Sequence, residues 1–195
     1  MVQATTAKPV RGKAPAKSRA AATARASLTL SSKNYSSWSL RGWLLARFAG
    51  LEFDEVFPQA GLLPSERAAR AHCRSICGEM NSGFANLRSA LPMNLKVRHK
   101  SFKIWAGAQP DIERIVALWR ECLARYGGPY LFGVQRTMAD AMYAPVVTRF
   151  LTYAVPLDAL CAAYAKTIMA MPEMKEWAAA ALKEAEEIEE LDMEF

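Results

Sequence analysis

Apolar side chains recur at helical spacing along most of the chain. In residues 37–49 the repeat consists of Leu40, Trp43, Leu44 and Phe48. It is followed by Gly50, a residue type that commonly ends helices. A longer helix is predicted within residues 66–97, where one face collects Cys73, Ile76, Met80, Phe84, Leu87 and Leu91. The pattern predicts a mainly α-helical protein.

Four more helices follow in the second half. The first covers 111–126 and is stopped by Gly127 and Gly128, and the last two cover about 157–170 and 173–190. Between them a helix begins at Thr137, because Thr137 and Asp140 have the spacing of a capping box. Pro145 should kink that helix, and Pro172 suits the first position of the last one.

Two short strands are predicted on either side of the first helix. Residues 28–30 form an apolar run, and residues 52–57 alternate, with Phe53 and Phe57 on one side. Strand, helix and strand would make one parallel β-α-β unit. A two-stranded sheet is marginal alone and leaves both strands as edges, so helices or another chain must cover it.

The excess positive charge of the chain lies in its first 26 residues. The net charge is +6, and the segment carries six basic residues and no acid: Lys8, Arg11, Lys13, Lys17, Arg19 and Arg25. Removing those six from 25 basic residues leaves 19, against 19 acidic. Residues 1–26 are predicted to be a disordered basic tail, since they are poor in large apolar side chains. A solvated tail, an organelle transit peptide and a nonspecific nucleic-acid-contacting arm all fit this composition.

Composition also bears on compartment and metal binding. No apolar run approaches the roughly 20 residues of a membrane span. The cysteines show no disulfide-framework spacing, so we expect a reducing, cytoplasmic location, with an organelle as the alternative. Cys73 and Cys77 are four residues apart, but no second ligand pair has zinc-like spacing, and no metal site is predicted.

Four segments carry a resemblance to a known family. They read KNYSSWSLRGWLLARFAGLEF (33–53), EMNSGFANLRSALPMN (79–94), DIERIVALWRECLARYGG (111–128) and YLFGVQRTMADAMYAPVVTRF (130–150). Together they resemble the glutathione S-transferase family, in its serine-dependent branch with zeta-like and related bacterial members. The resemblance covers most of residues 28–180. It implies a transferase C-terminal-like helical domain over 59–195, preceded by a thioredoxin-like remnant in 27–58.

The remnant is shorter than the family's N-terminal domain. After Val56 the chain continues as FPQAGLLPSERAARAH (57–72), which resembles the segment just before the helical half. The family's second helix, cis-proline strand, hairpin and acidic-serine turn have no counterpart. The resemblance therefore implies that much of the glutathione-binding domain is missing, unless the gap is an error in the sequence.

The resemblance also implies a thiol site at the start of the first helix. In serine-dependent transferases a hydroxyl there donates a hydrogen bond to the glutathione sulfur, which points to Ser36 as catalytic and Ser37 as a second donor. A free thiol has a pKa of about 8.5, and the positive end of a helix favours its thiolate. The alternative is that both serines only cap the helix.

Two neighbouring residues complete the expected glutathione site. Trp38 stands where some relatives have a cysteine, which argues against dithiol chemistry. Arg41 either holds an anionic substrate group or lies on the surface, and the surface position is favoured. For the electrophile, Met80, Phe84, Trp105 and Tyr143 are candidates to line an apolar pocket, although such residues at helical spacing are more often core.

By resemblance, we expect a glutathione S-transferase-like enzyme. It would conjugate or isomerise a small electrophile through the glutathione thiolate, with glutathione as co-substrate, and it would act as a homodimer. The missing segment is expected to reduce or abolish this activity. The alternative is a non-catalytic helical binding or scaffold protein whose sheet is completed by a partner strand. No membrane partner is expected. Nucleic acid is expected to bind only nonspecifically, through the basic tail.

Overall fold

The computed structural model describes residues 33–50 and 62–185. Within them the chain is helical and contains no strand, which confirms the prediction of a mainly α protein. A single 3₁₀ turn, Ala106–Ala108, precedes the fourth helix. The helices are α1 (Ser37–Phe48), α2 (Arg67–Ser82), α3 (Ala85–Ala90), α4 (Gln109–Tyr126), α5 (Met138–Thr152), α6 (Ala159–Ala170) and α7 (Pro172–Ala181).

Three predictions fall outside the described residues. They are the basic tail over 1–26 and the two strands over 28–30 and 52–57. Of the predicted β-α-β unit, only the helix lies within the described residues. That helix is confirmed as α1, with Leu40 and Leu44 fully buried and Gly50 just beyond its end at a φ of 63°.

Helix α5 lies at the centre of the fold. It packs against α1, α2 and α6, and α6 in turn packs against α4 and α7. Almost all of α5 is buried, including Tyr143 and Phe150, which explains why apolar residues occur on all of its sides. The Trp119 ring of α4 lies against Phe150, with ring centroids 5.4 Å apart. Because α1 packs on this same helix, it is attached directly to the core.

The prediction of one long helix within 66–97 is wrong, because these residues form two helices, α2 and α3. α2 ends at Ser82, Gly83 is extended, and Phe84 takes a left-handed conformation with a φ of 60° before α3 begins. The carboxylate of Asp111 in α4 accepts a hydrogen bond from Leu87 N at 2.9 Å, which stabilises the first turn of α3. The apolar face was assigned correctly, since all six of its predicted members are buried.

The ends of the later helices follow their sequence signals, with one exception. α4 ends at Gly127, whose φ is 83°, and Thr137 caps α5 with the capping box to Asp140 in place. Pro172 is the first residue of α7, as predicted. α7 ends at Ala181 and not near residue 190, because the chain turns there and Glu184 contacts the loop before α1.

Candidate functional site

Ser36 is the N-cap residue of α1. Its backbone is extended, and its hydroxyl oxygen accepts a hydrogen bond from Ser39 N at 3.2 Å. The same hydroxyl donates to Ser39 Oγ at 2.9 Å. Ser36 is half-buried at the start of α1. The capping role that the sequence suggested for the serines is therefore confirmed for Ser36.

The loop that leads into Ser36 is held by the C-terminal part of the chain. The carboxylate of Glu184 accepts hydrogen bonds from the backbone N–H groups of Lys33 and Asn34. Trp177 Nε1 donates to Lys33 O at 2.7 Å, and Leu95 N donates to Asn34 Oδ1 at 2.6 Å. These contacts fix where α1 starts relative to the helical domain.

Ser37 points inward, toward two arginines. It is buried, and its hydroxyl oxygen lies 3.4 Å from Arg41 Nη1 and 3.5 Å from Arg149 Nη2. Arg41 is one turn further along α1, whereas Arg149 belongs to α5. Both distances are at the long end for an N–H···O hydrogen bond. Ser37 therefore occupies a different environment from Ser36, although the two are adjacent in sequence.

The favoured surface position of Arg41 is wrong. Only 3% of the residue is exposed, and its Nε donates to the carbonyl of Met142 at 2.9 Å. That carbonyl belongs to α5, so the Arg41 side chain joins α1 to the central helix. The Trp38 ring covers the guanidinium, with its centroid 5.1 Å from Arg41 Cζ.

Arg149 is buried beside Arg41. It is 6% exposed, and its Nη1 donates to the carbonyls of Leu91 and Arg88 at the end of α3. Burial first, and then nearby positive charge, lowers the pKa of Arg41 and of Arg149 to about 10 in each case. Both therefore remain cationic at neutral pH. Across 33–50 and 62–185, no acidic side chain forms an ion pair with either one.

The residues suggested for the electrophile pocket do not share one environment. Met80, Phe84 and Tyr143 are buried in the core, and Tyr143 Oη donates to Ile76 O at 3.1 Å. Trp105 is 59% exposed. The pocket remains a prediction, and three of its four members already contribute to core packing.

The cysteines are buried and carry no disulfide in the described part of the chain. Burial raises the pKa of Cys122 to about 12, so it stays a thiol at neutral pH. Cys73 and Cys77 lie in the core, as small apolar residues would. Within residues 33–50 and 62–185, no three His, Cys, Asp or Glu side chains are grouped so that they could hold a metal ion.

Sequence reasoning missed Arg149 and Glu184. One signal was present for Arg149, because α5 reads MADAMYAPVVTRFLT and contains only two charged residues, Asp140 and Arg149. A charged side chain in an otherwise apolar, buried helix is usually paired or functional. Glu184 had no local signal, since it belongs to an acidic run and its partners are about 150 residues away.

Comparison with known families adds one finding. Residues 97–180 match the family model of the glutathione S-transferase C-terminal domain. The matched part contains α4, α5 and α6 and all but the last residue of α7. No curated protein sequence matches the chain. The helical domain is thus similar to that of glutathione S-transferases, whereas α1 and Ser36 lie before the match. None of the helices in 33–50 and 62–185 is long and apolar enough to span a membrane.

Proposed function

We propose that the protein is a glutathione S-transferase-like enzyme that activates the glutathione thiol at the start of α1. One observation supports this most: α1, with the half-buried Ser36 at its start, packs against α5, and α5 belongs to the region that matches the transferase C-terminal domain. Ser36 is the proposed catalytic residue. The thiolate would attack an electrophilic carbon of a small molecule, conjugating or isomerising it.

The cap and the proposed chemistry can be carried out by the same hydroxyl. Its oxygen accepts from Ser39 N, which leaves its hydrogen able to turn from Ser39 Oγ to a bound sulfur. A hydrogen bond to a charged group contributes about 1.5–3 kcal/mol, and a helix N-terminus adds about 0.3–1 kcal/mol. At about 1.4 kcal/mol per pKa unit, these would lower the thiol pKa by about 1–3 units.

The other predicted site residues have more limited roles in this proposal. Ser37 is buried between Arg41 and Arg149, so Ser36 alone would contact the sulfur. Trp38 is 57% exposed beside Ser36 and offers an apolar surface to a ligand. We further propose that the protein belongs to the serine-dependent, zeta-like branch, has a shortened thioredoxin-like part, forms a homodimer and acts in the cytoplasm.

The test separates thiol activation from helix capping. Glutathione is titrated into the full-length protein by calorimetry, and the thiolate absorbance gives the pKa of the bound thiol. Ser36→Ala removes both the cap and the donor. Ser36→Asp keeps a good cap but cannot donate to a thiolate.

The expected results differ for the two variants. Ser36→Ala should lose about 1 kcal/mol of unfolding free energy and bind glutathione more weakly. Ser36→Asp should keep its stability but leave the thiol pKa of any bound glutathione near its value in solution. Saturable binding with an unchanged thiol pKa in the wild type would contradict the proposal.

A second candidate is a non-catalytic helical binding or scaffold protein. The observation in its favour is that the Ser36 hydroxyl is fully used as a cap without any ligand, since Ser39 supplies both its donor and its acceptor. Such a protein would give no heat with millimolar glutathione. In that case Ser36→Asp would be indistinguishable from the wild type in every measurement.

A further inference from the structure

Arg41, Arg149 and Ser37 form a buried, positively charged cluster, named here the arginine pocket. Arg41 is 3% exposed, Arg149 6% and Ser37 7%. Burying a guanidinium removes its hydration, and two neighbouring cations also repel each other. Proteins normally compensate for this with a carboxylate, but the described part of the chain supplies none to either arginine. The cluster therefore carries an excess of positive charge.

Backbone carbonyls compensate for part of this charge. Arg149 Nη1 points to the last carbonyls around α3, and Arg41 Nε points to Met142 O. A helix C-terminus is equivalent to roughly half a negative charge, which is less than the two positive charges present. Arg88, which is half-buried at the end of α3, adds a third positive charge nearby. The pocket remains electropositive after its own contacts are counted.

The donors of the pocket converge on one point. Arg41 Nη1 and Arg149 Nη2 both lie within 3.5 Å of Ser37 Oγ. That oxygen accepts from both arginines, so its hydrogen is directed elsewhere. Both contacts are about 0.5 Å longer than a typical N–H···O bond, whereas Arg41 Nε binds Met142 O at 2.9 Å. The guanidinium groups are therefore held by the backbone and only loosely by Ser37.

We propose that the arginine pocket binds a small oxyanion, namely a carboxylate or an inorganic oxyanion, between Arg41, Arg149 and the Ser37 hydroxyl. Guanidinium groups match oxyanions in shape, because their planar N–H donors align with pairs of oxygens. An ion there would replace the two long contacts with short, charge-assisted ones. Trp38 covers Arg41 from outside, and its exposed ring would have to turn aside to admit the ion. This inference does not depend on the proposed transferase activity.

The test uses the full-length protein without glutathione. Sodium formate, sodium acetate and sodium sulfate are titrated calorimetrically at equal ionic strength in a buffer whose only other anion is bulky. Ser37→Ala keeps both arginines and removes one donor, and Arg41→Met removes one cation. Arg47→Met is the matched control, since Arg47 lies on the same helix, is exposed and pairs with Glu176.

The expected result is saturable binding of one anion per chain. Ser37→Ala should weaken it about tenfold or more, in line with one lost hydrogen bond to a charged group. Arg41→Met should abolish it, and Arg47→Met should leave it unchanged. Tighter binding of formate and acetate would identify a ligand carboxylate, and tighter binding of sulfate a tetrahedral oxyanion. Absence of saturable binding by all three anions would overturn the proposal, as would equal affinities of wild type and Ser37→Ala. If Arg41→Met does not fold, the comparison of anion affinity between wild type and Ser37→Ala tests the proposal by itself.

Discussion

The carboxylate of Glu184 is one of the groups that hold the loop before α1. It accepts from two successive backbone N–H groups, those of Lys33 and Asn34, at the point where the C-terminal segment meets the loop. Glu184→Gln keeps one acceptor oxygen but turns an NH₂ group toward the other N–H. One charge-assisted hydrogen bond is thereby lost, and one backbone donor is left facing another donor.

The magnitude follows from the burial of the contact. A hydrogen bond to a charged group contributes about 1.5–3 kcal/mol, and the lower end applies because Glu184 is half-buried. A loss of about 1.4 kcal/mol is a factor of ten in an opening equilibrium. Hydrogen exchange of the Lys33 and Asn34 amides should therefore be about tenfold faster in Glu184→Gln.

The assay is amide hydrogen exchange on the full-length protein. Lys183→Gln is the matched control, because Lys183 is the exposed neighbour of Glu184. The amide of Gly127, which bonds to Leu123 O at the end of α4, should exchange at the same rate in all three proteins. Wild-type exchange rates at Lys33 and Asn34 in Glu184→Gln would refute the reasoning, and so would equal acceleration in Lys183→Gln.

The remaining predictions concern stability. Gly127→Ala should lower the free energy of unfolding by about 1 kcal/mol, because its φ is 83°, whereas Gly78→Ala inside α2 should raise it by about 0.5–1 kcal/mol; equal shifts in urea denaturation would contradict this. Burial raises the pKa of Asp140 from 3.8 to about 6. Its protonated form therefore contributes stability that is present below about pH 3.8 and lost as the pH rises through about 6. The stability of wild type relative to Asp140→Asn should fall by about 3 kcal/mol across that window, and a rise would contradict the assignment.

The helices could be predicted from sequence because their signals are local. The apolar repeat of α1, the capping box of α5 and the proline at the start of α7 each lie within a few residues, and the structure has all three. The break between α2 and α3 was missed, because the first turn of α3 is stabilised by Asp111 of another helix. No window of local sequence contains that contact.

Only the part of the site that is set by neighbouring residues in the sequence could be predicted. Ser36 could be placed at a helix start from the sequence around it, and it is the N-cap of α1. Arg41 was assigned to the surface because charged residues usually lie there. Its hydrogen-bond partner, Met142, is 101 residues away in sequence, so its burial follows from how α1 packs on α5.

The most direct test of the account is the pKa of the glutathione thiol bound to full-length protein, measured for wild type and Ser36→Asp at matched stability. In the wild type we expect a thiol pKa about 1–3 units below its solution value, and in Ser36→Asp no lowering. A wild-type protein that binds no glutathione at millimolar concentration would contradict the account, and so would one that binds it without lowering the thiol pKa.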